Sequence, residues 1–173
     1  MGFRSSICQR TLQELLQNLL RTWKTTSSKM TYLLDVNVLV ALAWPSHSHH
    51  DRAQAWFARH GAEGWATCPF TETAFVRILS NLAFSPDAVS PREATNLLGA
   101  NVDHPHHKFW ADDVTFVDAV RPFAHSLVGH QQVADAYLLG LAIHKKGAFA
   151  TMDHSIQALL AKGIKKSDVL SLL

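Results

Sequence analysis

Cysteine is nearly absent from the chain: Cys8 and Cys68 are the only two among 173 residues, with no CxxC pair and no spacing that suits zinc. That excludes a disulfide scaffold and a thiolate zinc site, and it fits a reducing, cytoplasmic setting. Long apolar runs are also missing. Residues 1–29 carry Leu12, Leu15, Leu16, Leu19, Leu20 and Trp23 at helical spacing, but Gln, Glu and Arg break the rhythm. Neither a membrane span nor the apolar segment of a signal peptide fits, so no membrane association is expected. Charge of one sign is lacking too: Lys and Arg number 16 against 14 Asp and Glu, a formal net charge of +2. This is too little to argue nucleic-acid binding from net electrostatics, and it leaves a local basic groove open. There are no low-complexity tracts and no internal repeats. What remains is an ordinary globular composition, 47% hydrophobic, at a length that suits one domain with its own core. Residues 1–29 read as an N-terminal extension, either an accessory amphipathic helix or the product of an upstream start. Residues 30–173 read as the domain.

From Thr31 the pattern alternates strand and helix. Thr31–Asp35 is expected as a buried strand and Val36–Ala43 as a short helix stopping before Pro45. His49–His60 follows as an amphipathic helix, Gly64–Cys68 as the second strand, and Pro69–Leu82 as a helix with Glu72 in its first turn. Ser90-Pro91-Arg92-Glu93 is a capping box for a helix to about Ala100. Asn101–Lys108 reads as a loop, Phe109–Phe116 as a short strand and Val117–Ala124 as a short helix. Gln131–Lys146 is expected as a helix closed by Gly147, with Asp135 near its start. Ala148–Thr151 is a buried strand, Asp153 caps a helix to about Ala161, and Asp168–Leu172 is a last strand. Strands alternating with helices predict a Rossmann-like α/β fold, a mostly parallel sheet of about four to five strands with helices on both faces.

Four acids stand out in that pattern. Asp35 ends the first strand, Glu72 and Asp135 open helices, and Asp153 follows the strand Ala148–Thr151. In an open α/β sheet such places converge on the crevice at the carboxyl edge. Two carboxylates about 4 Å apart repel by about 4 kcal/mol at an effective dielectric near 20, so four in one cleft call for a divalent cation. Oxygen ligands select Mg²⁺ or Mn²⁺ over zinc. Taken alone, Asp153 is more simply a helix cap and Glu72 a first-turn acid favoured by the helix dipole. Asp35 and Asp135 are harder to explain that way, because apolar residues surround them.

The segments Leu34-Asp35-Val36-Asn37-Val38-Leu39, Thr71-Glu72, Val133-Ala134-Asp135-Ala136-Tyr137-Leu138 and Ala150-Thr151-Met152-Asp153 resemble the four acidic motifs of the PIN domain, in that family's order. Asp35–Ala43 and Gly129–Leu139 further resemble the VapC-type toxins of bacterial type II toxin-antitoxin modules. The resemblance covers Met30 to the C-terminus; the leading 29 residues depart from it. It implies an endoribonuclease dependent on Mg²⁺ or Mn²⁺, a homodimer, and inhibition by a cognate VapB-like antitoxin. It also assigns Asp35, Glu72, Asp135 and Asp153 to the catalytic and metal positions, with Asn37 and Thr151 as the polar residues beside them.

On this reading Asp35 and Asp135 are the direct metal ligands, while Glu72 and Asp153 act through water or hold a second ion. A water attacking the phosphodiester, its proton taken by Glu72 or Asp153, would leave a 5′-phosphate and a 3′-hydroxyl. His47, His49, His50, His104, His106 and His107 are expected in solvated loops. Trp44, Trp56, Trp65 and Trp110 are expected as core or dimer contacts. Two rivals differ in kind. Asp35-Val36-Asn37 loosely resembles the nucleophile motif of haloacid-dehalogenase-type phosphatases, but Asn37 stands where a second Asp is usual. A non-catalytic binding module would keep the fold and has no need of all four acids.

Overall fold

The computed structural model describes residues 30–160 and 165–173; the expectations for residues 1–29 lie outside them. Strand β1 (Tyr32–Leu34) leads into helix α1 (Val36–Ala43), then α2 (His50–His60), β2 (Trp65–Thr67), α3 (Pro69–Leu79) and α4 (Pro91–Val102). Strand β3 (His107–Phe109) and α5 (Phe116–Val120) follow. A 3₁₀ turn at His130–Gln132 then precedes α6 (Val133–His144), and the chain ends with β4 (Ala148–Thr151), α7 (Lys166–Val169) and β5 (Leu170–Leu172). The five strands form one wholly parallel sheet in the order β3-β2-β1-β4-β5.

Alternation along the central strands makes two cores. Leu33, Ala66 and Phe149 face one side, with Leu138, Leu139 and Leu141 of α6 and with Phe123. Leu34, Trp65 and Ala150 face the other, with Val38 of α1, Trp56 of α2, Phe75 of α3 and Ala94 of α4. A parallel sheet covered on both faces needs strands without a polar side, which is why β1, β2 and β4 read as continuous apolar runs. Gly140 sets the fit of α6 against α5: a Cβ there would lie 2.2 Å from the Ala119 carbonyl oxygen.

Several boundaries differ from the sequence expectation. The segment expected as a loop contains the end of α4 and all of β3 up to Lys108, and the strand expected over Phe109–Phe116 is instead this edge strand at His107–Phe109. An edge strand needs apolar residues on neither face, so His107 and Lys108 fit it. Helix α3 stops at Leu79, and the last strand is Leu170–Leu172 with α7 just before it. After Asp153 the chain forms a 3₁₀ segment, His154–Leu159, in place of a full helix. At the end of α6 the left-handed residue is Lys146, at φ 58°, rather than Gly147. Gly147 answers a different need, since a Cβ there would lie 2.4 Å from the Thr31 carbonyl oxygen and 2.5 Å from the Trp110 ring.

Candidate active site

Strands β1 and β4 lie side by side, although the chain between them visits β2 and β3 on the far side of β1. The order of connection reverses there, and the crevice of a doubly wound sheet opens beyond the carboxyl ends of two such strands. Asp35 leaves β1 at this point, its backbone N–H donating to the Ala150 carbonyl of β4 at 2.9 Å.

The Asp35 side chain is 5% exposed and tightly held. Its Oδ2 accepts from Thr151 Oγ1 at 2.6 Å and from Asn37 Nδ2 at 2.6 Å. Asn37 Nδ2 also donates to Thr151 Oγ1 at 3.1 Å, while Asn37 Oδ1 accepts from the Met152 N–H at 3.2 Å. The Asp153 N–H donates to Thr151 Oγ1 at 3.0 Å. Thus one hydroxyl donates once and accepts twice, and one amide joins the start of α1 to the end of β4. Burial pushes the Asp35 carboxyl above its ordinary range; hydrogen bonds from Thr151 and from the Val36 and Asn37 backbone oppose this, and the Asp153 charge adds to it.

Asp135 projects from the first turn of α6 and is partly buried. Its carboxyl is pushed up to about 6, first by desolvation, then by the charges of Asp35 and Asp153. Asp153 is exposed and caps the following 3₁₀ segment, its Oδ1 accepting from the Ser155 N–H at 2.8 Å. The cap expected for this residue is present, and its charge acts on Asp35 and Asp135. Asp135 and Asp153 line one cleft of about 490 Å³ with His130 and Gln132. Gln132 Oε1 shapes its wall by accepting from the N–H groups of Val128 and Gly129 at 2.9 and 3.1 Å.

Glu72 is placed differently. It sits in the first turn of α3, half-buried, and its Oε1 accepts from Thr67 Oγ1 at 2.6 Å. Its charge is not among those acting on Asp35 or Asp135. The structure thus brings the three aspartates together and sets Glu72 on their flank, beside β2. Thr67 in turn meets His107 Nε2 at 2.8 Å. Thr67 is not among the residues that the sequence marks, and His107 is expected there only as a solvated-loop histidine. A threonine at the end of the strand, five positions before Glu72, was the available signal for the first; nothing in the sequence pointed to the second, which reaches Thr67 only through β2–β3 pairing.

The solvated-loop reading of the histidines needs correction at three positions. His50 Nδ1 pairs with the Ala41 carbonyl at 2.8 Å, and His104 Nδ1 accepts from Trp65 Nε1 and the His106 N–H, each at 3.2 Å. With His107, these rings tie loops to the sheet and to α1. Trp56, Trp65 and Trp110 are buried, as expected of core residues.

The donor set fits a hard divalent cation. The three aspartates offer oxygen alone, and the elevation of Asp135 comes first from burial and then from the like charges of Asp35 and Asp153. Among the described residues no group of three or more His, Cys, Asp or Glu side chains is arranged to hold a metal ion. Magnesium asks for less, since it keeps several waters and usually takes one or two carboxylates directly.

Comparison with known proteins agrees with this architecture. The PIN domain model matches residues 32–161, and the chain belongs to the PIN-domain family. Within that family it is similar to proteins named ribonuclease VapC. It is 45% identical over 127 residues to ribonuclease VapC38 of Mycobacterium tuberculosis, spanning 73% of this chain and 88% of that one. It is 38% identical over 135 residues to VapC39 of the same organism, spanning 78% and 97%. Among solved structures, VapBC2 from Rickettsia felis, bound to a promoter DNA fragment, matches at a TM-score of 0.55 and 10% identity over 83% of this chain and 99% of that one. FitAcB from Neisseria gonorrhoeae matches at 0.53 and 18%, over 80% and 95%. At those identities the likeness is one of fold. The haloacid-dehalogenase alternative falls with the family match. Its nucleophile would have to be Asp35, which is buried and has Oδ2 occupied by two donors.

Proposed function

We propose that this chain is a Mg²⁺-dependent endoribonuclease, with Mn²⁺ able to substitute, and that it acts as the toxin of a VapBC-like module by cutting RNA needed for translation. The observation that carries the reading is the Asp35–Asp135–Asp153 cluster at the β1/β4 crevice, where Asp135 is raised to about 6 beside two other carboxyls. Such a cluster is costly to keep without a cation, and its place in a PIN fold similar to named ribonucleases supports a phosphodiester as substrate.

Asp35 and Asp135 would hold the cation, and the Thr151–Asn37 clamp fixes the direction of Asp35. When bound, the metal supplies charge stabilisation at the phosphoryl oxygens and acidifies a water. Glu72 or Asp153 takes the proton of the attacking water. The bond to the 3′ oxygen breaks and that oxygen takes a proton from solvent, leaving a 3′-hydroxyl and a 5′-phosphate. A VapB-like antitoxin and a second copy of the chain are the proposed partners. Support for the dimer comes from exposed aromatics: Phe70 and Phe116, 46% and 42% exposed, flank Tyr137, with ring centroids 6.4 and 6.3 Å away. Among the described residues no helix is long and apolar enough to cross a membrane, and the cytoplasm is the proposed site of action.

The test is incubation of the purified chain, freed of antitoxin, with total bacterial RNA in Mg²⁺, in EDTA, and with an Asp35→Asn control. Discrete metal-dependent cuts bearing 5′-phosphates, lost in the variant, are expected. Intact RNA under every condition would return the chain to the non-catalytic reading, and cyclic phosphates at the cut ends would replace water attack by attack of the RNA 2′-hydroxyl.

A further inference from the structure

We propose that Thr67 and His107 are positioning residues for Glu72: the Thr67 hydroxyl, oriented by the His107 ring across the β2–β3 pair, holds the Glu72 carboxylate in the rotamer from which it acts on the attacking water. This rests on the nuclease reading above and adds to it two residues that the sequence motifs do not contain.

Proton counting makes the chain directional. A threonine hydroxyl has one proton. At 2.6 Å it is given to Glu72 Oε1, a charge-assisted bond, and so the 2.8 Å contact between Thr67 Oγ1 and His107 Nε2 requires the proton of that contact to lie on Nε2. Burial lowers the proton affinity of His107, while the charge of Glu72 and a hydrogen bond with the Val102 backbone raise it; the clamp on Glu72 requires that Nε2 carry a proton. The ring is fixed from two sides. Its residue pairs with Trp65 in the parallel register, and its centroid lies 4.6 Å from that of the Trp65 indole. Thr67 is itself fully buried, so its hydroxyl has no water to turn to.

A role confined to helix capping does not account for this chain. The start of α3 is already satisfied by Thr71, whose Oγ1 accepts from the Cys68 N–H at 3.0 Å and donates to the Cys68 carbonyl at 3.1 Å. Proline at the first helical position removes a further orphan donor. The buried hydroxyl therefore serves the carboxylate. It uses one of the acceptor positions on Glu72 and leaves the others for water.

The test compares kcat and KM for RNA cleavage by the full chain in Mg²⁺, as wild type, Thr67→Val, Thr67→Ser, His107→Leu and His107→Gln, with thermal melts to establish that each is folded. Valine is isosteric and lacks the hydroxyl; serine keeps it; glutamine can present an N–H in place of Nε2–H. Thr67→Val and His107→Leu are expected to lower kcat by about 10- to 100-fold with KM little changed. Thr67→Ser and His107→Gln are expected to restore most of the rate, and the Val–Leu double variant to be no slower than the slower single. Wild-type kcat in Thr67→Val, a loss confined to KM, or Ser and Gln variants as slow as Val and Leu would overturn the proposal. A long-range ¹⁵N–¹H spectrum of His107 reads the same contact without RNA: a proton on Nε2, with a resonance that moves in Thr67→Val, is expected, and a proton on Nδ1 alone overturns the proposal. A folded wild type that shows Nε2–H and cuts no RNA would instead overturn the nuclease reading, leaving the clamp on Glu72 as structure only.

Discussion

Replacing Asp135 by asparagine is expected to stabilise the metal-free fold while abolishing cleavage. Folding raises the Asp135 carboxyl from 3.8 to about 6, so the folded chain favours its protonated form. A stabilising contribution from protonation is therefore fully present below about pH 4 and is lost as pH rises through about 6. Above that, the ionised carboxylate opposes folding. Roughly two pH units at 1.36 kcal/mol each give about 3 kcal/mol, and solvent reaching this partly buried group reduces the figure to about 1–2 kcal/mol. For a domain of this size that corresponds to a rise in melting temperature of about 3–6 °C for Asp135→Asn. The assay is a pair of thermal melts in EDTA, near pH 7.5 and near pH 4. The variant should melt higher at the first, and the two proteins should converge at the second. A variant clearly less stable than wild type near pH 7.5 would refute the reasoning and make Asp135 a structural acid. Millimolar Mg²⁺ added near pH 7.5 should narrow the gap by raising the wild type more than the variant.

Other perturbations test other parts of the molecule. Thr151→Val removes the hydroxyl that donates to Asp35 and accepts from Asn37 and from the Asp153 backbone; urea unfolding should show a loss of about 2–3 kcal/mol, with cleavage reduced as Asp35 loses its orientation. Gly140→Ala forces a Cβ toward the Ala119 carbonyl, 2.2 Å away in the present packing; a destabilisation of at least about 1–3 kcal/mol is expected, and an unchanged melting temperature would contradict the α5–α6 contact. Phe70→Glu places a charge on the exposed aromatic cluster and should shift the proposed dimer toward monomer in sedimentation, whereas an unchanged mass would remove Phe70 from the proposed contact.

The strands that carry the site were the easiest to read in the sequence, for a physical reason. Tyr32–Leu34 and Ala148–Thr151 lie in the middle of the sheet and are covered on both faces, so their residues are apolar without alternation and the acids that follow them stand out. Strand β3 has the opposite character. It is an edge, its Lys108 and Phe109 are exposed, and its position is set by pairing with β2 rather than by any pattern of its own. His107 consequently reads as a loop residue in the sequence, and its contact with Thr67 leaves no local signal there. The 3₁₀ turn before α6 and the left-handed Lys146 after it were missed because local propensity says little about either. Gly147 illustrates the limit well: a glycine after a helix suggests a cap, yet this one is required by Thr31 and Trp110, which approach it from elsewhere in the sequence.

The sheet order also explains why the four acids are unequal in space. Crossing from β3 back past β1 to β4 sets Thr151 and Asp153 against Asp35, and α6, which makes that crossing, delivers Asp135 to the same crevice. Glu72 arrives by the earlier β2–α3 connection, on the other side of β1. The charges of Asp35 and Asp153 act on Asp135, and on the proposed reading a cation would relieve them; Glu72 accepts instead from the neutral hydroxyl of Thr67. Metal binding and proton acceptance would then be divided between the two sides of β1. A carboxylate left outside the charged cluster is freer to take a proton without altering the affinity of the cluster for its ion, so substitutions at Thr67 or Glu72 should slow cleavage while leaving the Mg²⁺-induced rise in melting temperature intact. Substitutions at Asp35 or Asp135 should remove both, and a Glu72→Gln variant that also lost the Mg²⁺ response would place Glu72 among the metal ligands and undo the division.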